Sequence, residues 1–159
     1  MTAHAKDEVR VYTDISIGKT IGVGIQAEGP FGRPLRLRSY AGVGFSPVEA
    51  ELMAMFLGLE ALDSLYESAP FVTSETTLFT DCESAIRALF DLGKFRSKIT
   101  KALVKGLLNK IEDFKEKSKA PCVIRPIGSR ENPAHILARE ARKTWTDLLS
   151  FKAASSSPS

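Results

Sequence analysis

Residues 9–49, VRVYTDISIGKTIGVGIQAEGPFGRPLRLRSYAGVGFSPVE, hold three extended runs followed by the start of a helix. Val9–Ser16 alternates and is rich in strand-forming residues, and Gly18-Lys19 is a short turn signal. Thr20–Ala27 reads as a second strand. Gly29, Pro30, Gly32 and Pro34 punctuate a loop before a third, Leu35–Val43. Links this short predict an antiparallel meander. Ser46-Pro47-Val48-Glu49 then combines a capping serine, a proline at the first helical position and a glutamate that closes a capping box.

Outward from that stretch, the first helix runs to about Glu67. Leu52, Met55/Phe56, Leu59 and Leu62 form its buried stripe. Thr76–Thr80 is a fourth strand ending at Asp81, Cys82–Leu92 a short helix, and Ser97–Lys117 a long amphipathic helix with Ile99, Leu103, Leu107, Ile111 and Phe114 inward. Cys122–Ile127 is a fifth strand and Ala134–Leu149 a last helix, with Trp145 read as core. Strands one, four and five, separated by helices, must run parallel as crossovers. The expected fold is α/β: a five-stranded mixed sheet with helices on both faces. Residues 1–8 read as an N-terminal arm, 9–150 as one domain and the serine-rich 151–159 as a flexible tail.

Composition narrows the class. In 159 residues, 43% are hydrophobic and 26% charged, which excludes wholesale disorder, collagen-like repeats and coiled coil. No run approaches the roughly 18 apolar residues of a membrane span. The opening MTAHAKDEVR lacks the apolar centre of a secretion signal, which predicts an intracellular protein. Cys82 and Cys122 fit neither a disulfide framework nor a zinc knuckle and read as two buried thiols. The net charge of +3 is split: residues 1–93 carry −6, residues 94–119 carry +6 and residues 120–159 carry +3. That asymmetry suits a basic surface for a polyanion and an acidic site elsewhere, although a solvated lysine-rich helix would give the same arithmetic.

Three acids stand at element edges. Asp14 and Asp81 end neighbouring strands, and Glu51 lies near the start of the first helix. Carboxylates brought that close repel unless a cation neutralises them, and two or three oxygens on a rigid edge suit Mg²⁺. The alternative is that each acid is a cap or strand terminator.

Four segments add a resemblance. Tyr12-Thr13-Asp14-Ile15-Ser16, Glu51-Leu52-Met53-Ala54 with Leu59-Glu60-Ala61-Leu62, Thr80-Asp81-Cys82-Glu83-Ser84-Ala85, and Asn132-Pro133-Ala134-His135-Ile136-Leu137-Ala138-Arg139 resemble, in order, the motifs of the type I ribonuclease H family, including domains of retroelement polyproteins. The resemblance spans about Val9–Arg142 and implies a ribonuclease H-like fold with the order βββαβααβα. It also implies hydrolysis of the RNA strand of an RNA–DNA hybrid by two divalent ions, Mg or Mn, held by Asp14, Glu51 and Asp81. His135 stands where a fourth aspartate is usual and becomes a fourth candidate ligand and catalytic residue. Asn132 is one residue closer to His135 than the family spacing. Gly128-Ser129-Arg130 occupies the region of the family's mobile loop histidine, and Ile15 and Cys82 replace the usual glycine and serine.

Lys94, Lys98, Lys101 and Lys105 share one helix face and suit phosphate neutralisation. Ser16, Ser84 and Arg130 join Lys98, Lys101 and Lys105 as candidate nucleic-acid contacts, with Arg125, Arg139 and Arg142 as possible extensions of the patch. A monomer is expected. Two other readings stay open: a weakly active or inactive nucleic-acid-binding module, and a DNA-directed nuclease of the same superfold.

Overall fold

A computed structural model describes residues 7–42, 44–91 and 97–156, with side chains as far as Leu148. The elements in chain order are β1 (Glu8–Ile17), β2 (Ile21–Glu28), β3 (Leu35–Gly42), α1 (Pro47–Ser68), β4 (Glu75–Thr80), α2 (Glu83–Phe90), α3 (Lys98–Ser118), β5 (Cys122–Pro126) and α4 (Ala134–Ser156). A 3₁₀ turn at Ser129–Glu131 precedes α4. The sheet order is β3-β2-β1-β4-β5. The first three strands pair antiparallel, while β1–β4 and β4–β5 are parallel. This is the mixed α/β sheet expected from short links on one side and helical crossovers on the other.

Alternation along β1 sorts the two faces. Val11 and Thr13 meet α1 at Gly58, whereas Asp14 and Ser16 hydrogen-bond α4. Leu52, Met55, Leu59 and Leu62 of α1 are fully buried, so its predicted stripe is the packed one. The capping box also forms: Glu49 N donates to Ser46 Oγ (3.2 Å) and Ser46 N to Glu49 Oε1 (2.9 Å). Glu49 does more than cap. Its Oε2 accepts from Thr100 Oγ1 at 3.2 Å and from Ser97 Oγ at 3.4 Å, which ties the start of α3 to the start of α1.

That tie corrects the reading of α3. Thr100 and Val104 are buried, with Leu107, Ile111 and Phe114 beyond them, whereas Ile99 is 53% exposed and Leu103 only half-buried. Turning Thr100 inward to bond Glu49 rotates Ile99 out, and the apolar periodicity carries no sign of that polar anchor.

On the other face, α4 lies directly on β2. A Cβ at Gly24 would collide with the Ala134 carbonyl and the Ala138 amide, and one at Gly22 with the Ala138 carbonyl and the Arg142 backbone. Only glycine lets a helix backbone approach a strand this closely. The helix, expected to end near Leu149, continues to Ser156, so its backbone includes part of the expected tail. Ala153-Ala154 carries the highest helix propensity and nothing there breaks the pattern. Trp145 is half-buried rather than core, its ring tilted 33° against Tyr40 with centroids 4.6 Å apart. Cys82 and Cys122 are free and half-buried. The expected strand end at Val43, helix end at Leu92 and basic residue Lys94 lie outside the described residues, as does the arm before Asp7. Among the described residues no helix is long and apolar enough to cross a membrane.

Candidate metal and nucleic-acid site

The parallel pairing of β1 with β4 stops at Tyr12–Phe79, while β1 continues beside β2 to Ile17. Two strand ends therefore diverge at one edge, the place where open α/β sheets gather ligands. Asp14 stands just past that point on β1, and Asp81 follows the last residue of β4. Glu51 reaches the same spot from α1, whose start is fixed by the capping box. Asp14, Glu51 and Asp81 each offer a carboxylate oxygen, and these atoms lie within 4.8 Å of one another. Asp14 and Glu51 are buried and Asp81 is half-buried.

The cluster is electrostatically unsatisfied. Burial pushes the Glu51 carboxyl up to about 9, with the charges of Asp14 and then Asp81 adding to the rise and a Thr80 hydrogen bond opposing it. Burial and then the Asp14 charge also raise Asp81, opposed in part by a backbone hydrogen bond and then by His135. Asp14 Oδ1 accepts from the Ile15 amide at 2.8 Å. Glu51 Oε2, in contrast, is buried with no hydrogen-bond partner. A buried carboxylate oxygen without a donor is costly in a finished protein interior, and here it faces two more carboxylates. All-oxygen donors of this charge fit a hard divalent cation such as Mg²⁺ or Mn²⁺.

His135 lies beside the cluster rather than within it. Its Nδ1 is 2.8 Å from Asp14 Oδ2, and its side chain is 48% exposed. What places it there is Asn132. The buried Asn132 side chain donates to the Thr13 carbonyl at 3.0 Å and accepts from the Ala134 amide at 3.1 Å. One residue thus caps α4 and hooks it onto β1, next to Asp14. The sequence flags Asn132 as a spacing mismatch, and only the folded chain reveals this bond across the sheet.

The candidate contacts distribute around the edge. Ser16 is half-buried on the Asp14 face, and its Oγ accepts from Arg142 Nε at 2.8 Å. Ser84 is exposed in the first turn of α2, three residues after Asp81, and Arg130 is exposed in the 3₁₀ turn before α4. Lys98, Lys101 and Lys105 are all exposed, and Lys101 and Lys105 line one depression with Leu108 and Asn109. Thr100, bonded to Glu49, sets the first turn of α3, from which the lysine row starts, beside the first turn of α1. Arg125 lies near Glu75, at 3.5 Å, and is partly neutralised.

The sequence matches no protein-family model and no curated protein. Solved structures do match. Ribonuclease H1 from the halophilic archaeon Halobacterium salinarum NRC-1 is 18% identical, with a TM-score of 0.66 over 86% of this chain and 98% of that one. LC11 ribonuclease H1, solved in complex with an RNA/DNA hybrid, is 22% identical, with a TM-score of 0.67 over 87% and 99%. The protease–reverse transcriptase of prototype foamy virus is 13% identical, with a TM-score of 0.58 over 89% of this chain and 21% of that one. Strand order, crossovers and these likenesses agree on one fold: the chain has the ribonuclease H-like fold.

Proposed function

We propose that this domain is a divalent-metal-dependent nuclease that hydrolyses the RNA strand of RNA–DNA hybrids. The observation that carries the reading is the partnerless buried Glu51 Oε2, set among three carboxylates within 4.8 Å. The fold supports it, and one structure of that fold holds an RNA/DNA hybrid. Asp14, Glu51 and Asp81 would hold two ions, Mg or Mn. Bound there, such ions lower the pKa of attacking water and stabilise the leaving 3′-oxygen as the P–O3′ bond breaks.

The remaining roles follow from position. His135 belongs to the site through Asp14: its Nδ1–H donates to Oδ2 and orients that carboxylate. Turning the ring to ligate a metal directly would cost that bond. Lys98, Lys101 and Lys105 neutralise backbone phosphates, and Ser16, Ser84 and Arg130 contact the strand beside the carboxylates. The protein would act inside the cell as a monomer.

The test is cleavage of three end-labelled duplexes, RNA–DNA hybrid, RNA and DNA, each with Mg²⁺, Mn²⁺ or EDTA. The expected result is cleavage of the hybrid's RNA strand only, and only with metal. Cleavage of duplex DNA would assign the site to a DNA nuclease. Tight hybrid binding with no cleavage would leave a binding module.

A further inference from the structure

Next to the carboxylate site, one row of residues crosses the sheet from Ser16 on β1 through Gly22 on β2 to Tyr40 on β3. Arg142 of α4 lies across it. Because Gly22 has no Cβ, the Arg142 backbone settles on β2. Its side chain then runs back toward β1. Nη1 and Cδ pass 2.9 and 3.0 Å from where a Cβ on Gly18 would stand, and Nε donates to Ser16 Oγ at 2.8 Å.

The charge of this guanidinium is not neutralised. Among the described residues no carboxylate lies within ion-pair distance of Arg142, and the neighbouring acid on α4, Glu140, is bonded to Arg38. Lys19, beside Gly18, and Arg139 and Lys143, beside Arg142 in sequence, are exposed and also lack an ion pair among the described residues. A guanidinium carries five donors in a fixed fork, and Ser16 takes one. The Ser16 hydroxyl, accepting from Arg142, keeps its own proton to donate. The pair therefore presents converging donors with a positive charge and, among the described residues, no anion of the protein's own.

Ser16 is two residues beyond Asp14 on an extended strand, about 7 Å along it and on the same face. A strand bound with its scissile phosphate at the carboxylates would place its neighbouring phosphate within reach. We infer that Arg142 and Ser16 form a phosphate-binding site for the cleaved strand, one nucleotide from the point of cleavage. This rests on the hybrid-nuclease reading. It gives Arg142 the task of offsetting the repulsion between three carboxylates and an incoming polyanion. A purely structural arginine would use its stem to cover Gly18 and would need no unpaired charge.

The test uses the whole chain and a labelled RNA–DNA hybrid oligonucleotide. Arg142→Gln keeps most of the stem and an amide donor for Ser16 but removes the charge. Arg142→Lys keeps the charge and loses the fork. Binding is measured in EDTA between 50 and 200 mM salt, and KM and kcat are measured with Mn²⁺. Arg142→Gln should lower the log–log salt slope by about one and raise KM about tenfold, with kcat within about twofold. Arg142→Lys should retain the wild-type slope with an intermediate KM. Wild-type slope and KM in Arg142→Gln would overturn the assignment and leave Arg142 a packing residue, with the nuclease reading intact. A wild type that neither binds nor cleaves the hybrid would overturn both. Thermal melts of the variants separate a lost contact from a lost fold.

Discussion

At the scale of single residues, Glu51 makes the metal-free protein pH-dependent. Its carboxyl titrates near 9 when folded and in the ordinary range near 4.5 when unfolded. Between those values the folded state holds a proton that the unfolded state has released. Stability therefore falls as pH rises through that window, and raised Asp81 acts in the same direction. Glu51→Gln should flatten the dependence: in EDTA its Tm should exceed wild type at pH 8 and approach it at pH 5, as scanning calorimetry would record. His135 is a subtler case. It bonds Asp14 without sharing the carboxylate cluster, so His135→Ala should reduce cleavage by less than loss of Asp14 does. His135→Asp should raise Mg²⁺-supported activity by adding a hard anionic oxygen. Equal activity of His135→Ala and wild type in titrations of both metals would make His135 a helix-start residue only. Asp14, Glu51 and Asp81 were legible as candidates because each acid stands near an expected element boundary, although β1 runs on past Asp14 to Ile17. That Glu51 Oε2 lacks a partner was not legible, since it depends on what packs around it.

At the scale of elements, α4 is held to the sheet by two devices of different visibility. The glycines of β2 are visible in the sequence as Gly22 and Gly24, spaced to share one face, but alternation alone reads them as gaps in a strand. The structure gives them a purpose, because backbone atoms of α4 occupy the space a Cβ would fill. Gly24→Ala should cost about 3 kcal/mol in denaturant unfolding, since neither collision partner is a flexible side-chain end. Asn132 is the second device. Its bonds to the Thr13 carbonyl and the Ala134 amide are both buried, and Asn132→Ala should cost about 2 kcal/mol. The same change should disturb His135 and so lower activity without touching a carboxylate. On α3, replacing Lys98, Lys101 and Lys105 together by alanine should lower the salt slope of hybrid binding by up to about three and leave kcat nearly unchanged. An unchanged slope would move the binding face off α3. The lysine face was legible from spacing, whereas the inward turn of Thr100 in place of Ile99 was not, because a buried hydroxyl answering Glu49 leaves no periodic signal.

At the scale of the whole molecule, strand order follows from link length: two short links give the antiparallel half, and helical crossovers give the parallel half. That logic needs only turns and caps, which the sequence states locally. The site needs more, since three elements distant in sequence must meet at one edge, and their convergence expresses the parallel β1–β4 pairing. The domain then carries an acidic centre within a net basic chain. Divalent ions should bind with release of the Glu51 proton, which calorimetric titration in buffers of different ionisation heat would detect at pH 7.5 and which Glu51→Gln should abolish. The most direct measurement of the central claim is single-turnover cleavage of an RNA–DNA hybrid with Mn²⁺ by wild type, Asp14→Asn and Asp81→Asn, each first shown to melt at least as high as wild type in EDTA. The account expects cleavage by wild type and none by either folded variant. Near-wild-type cleavage by either would contradict it.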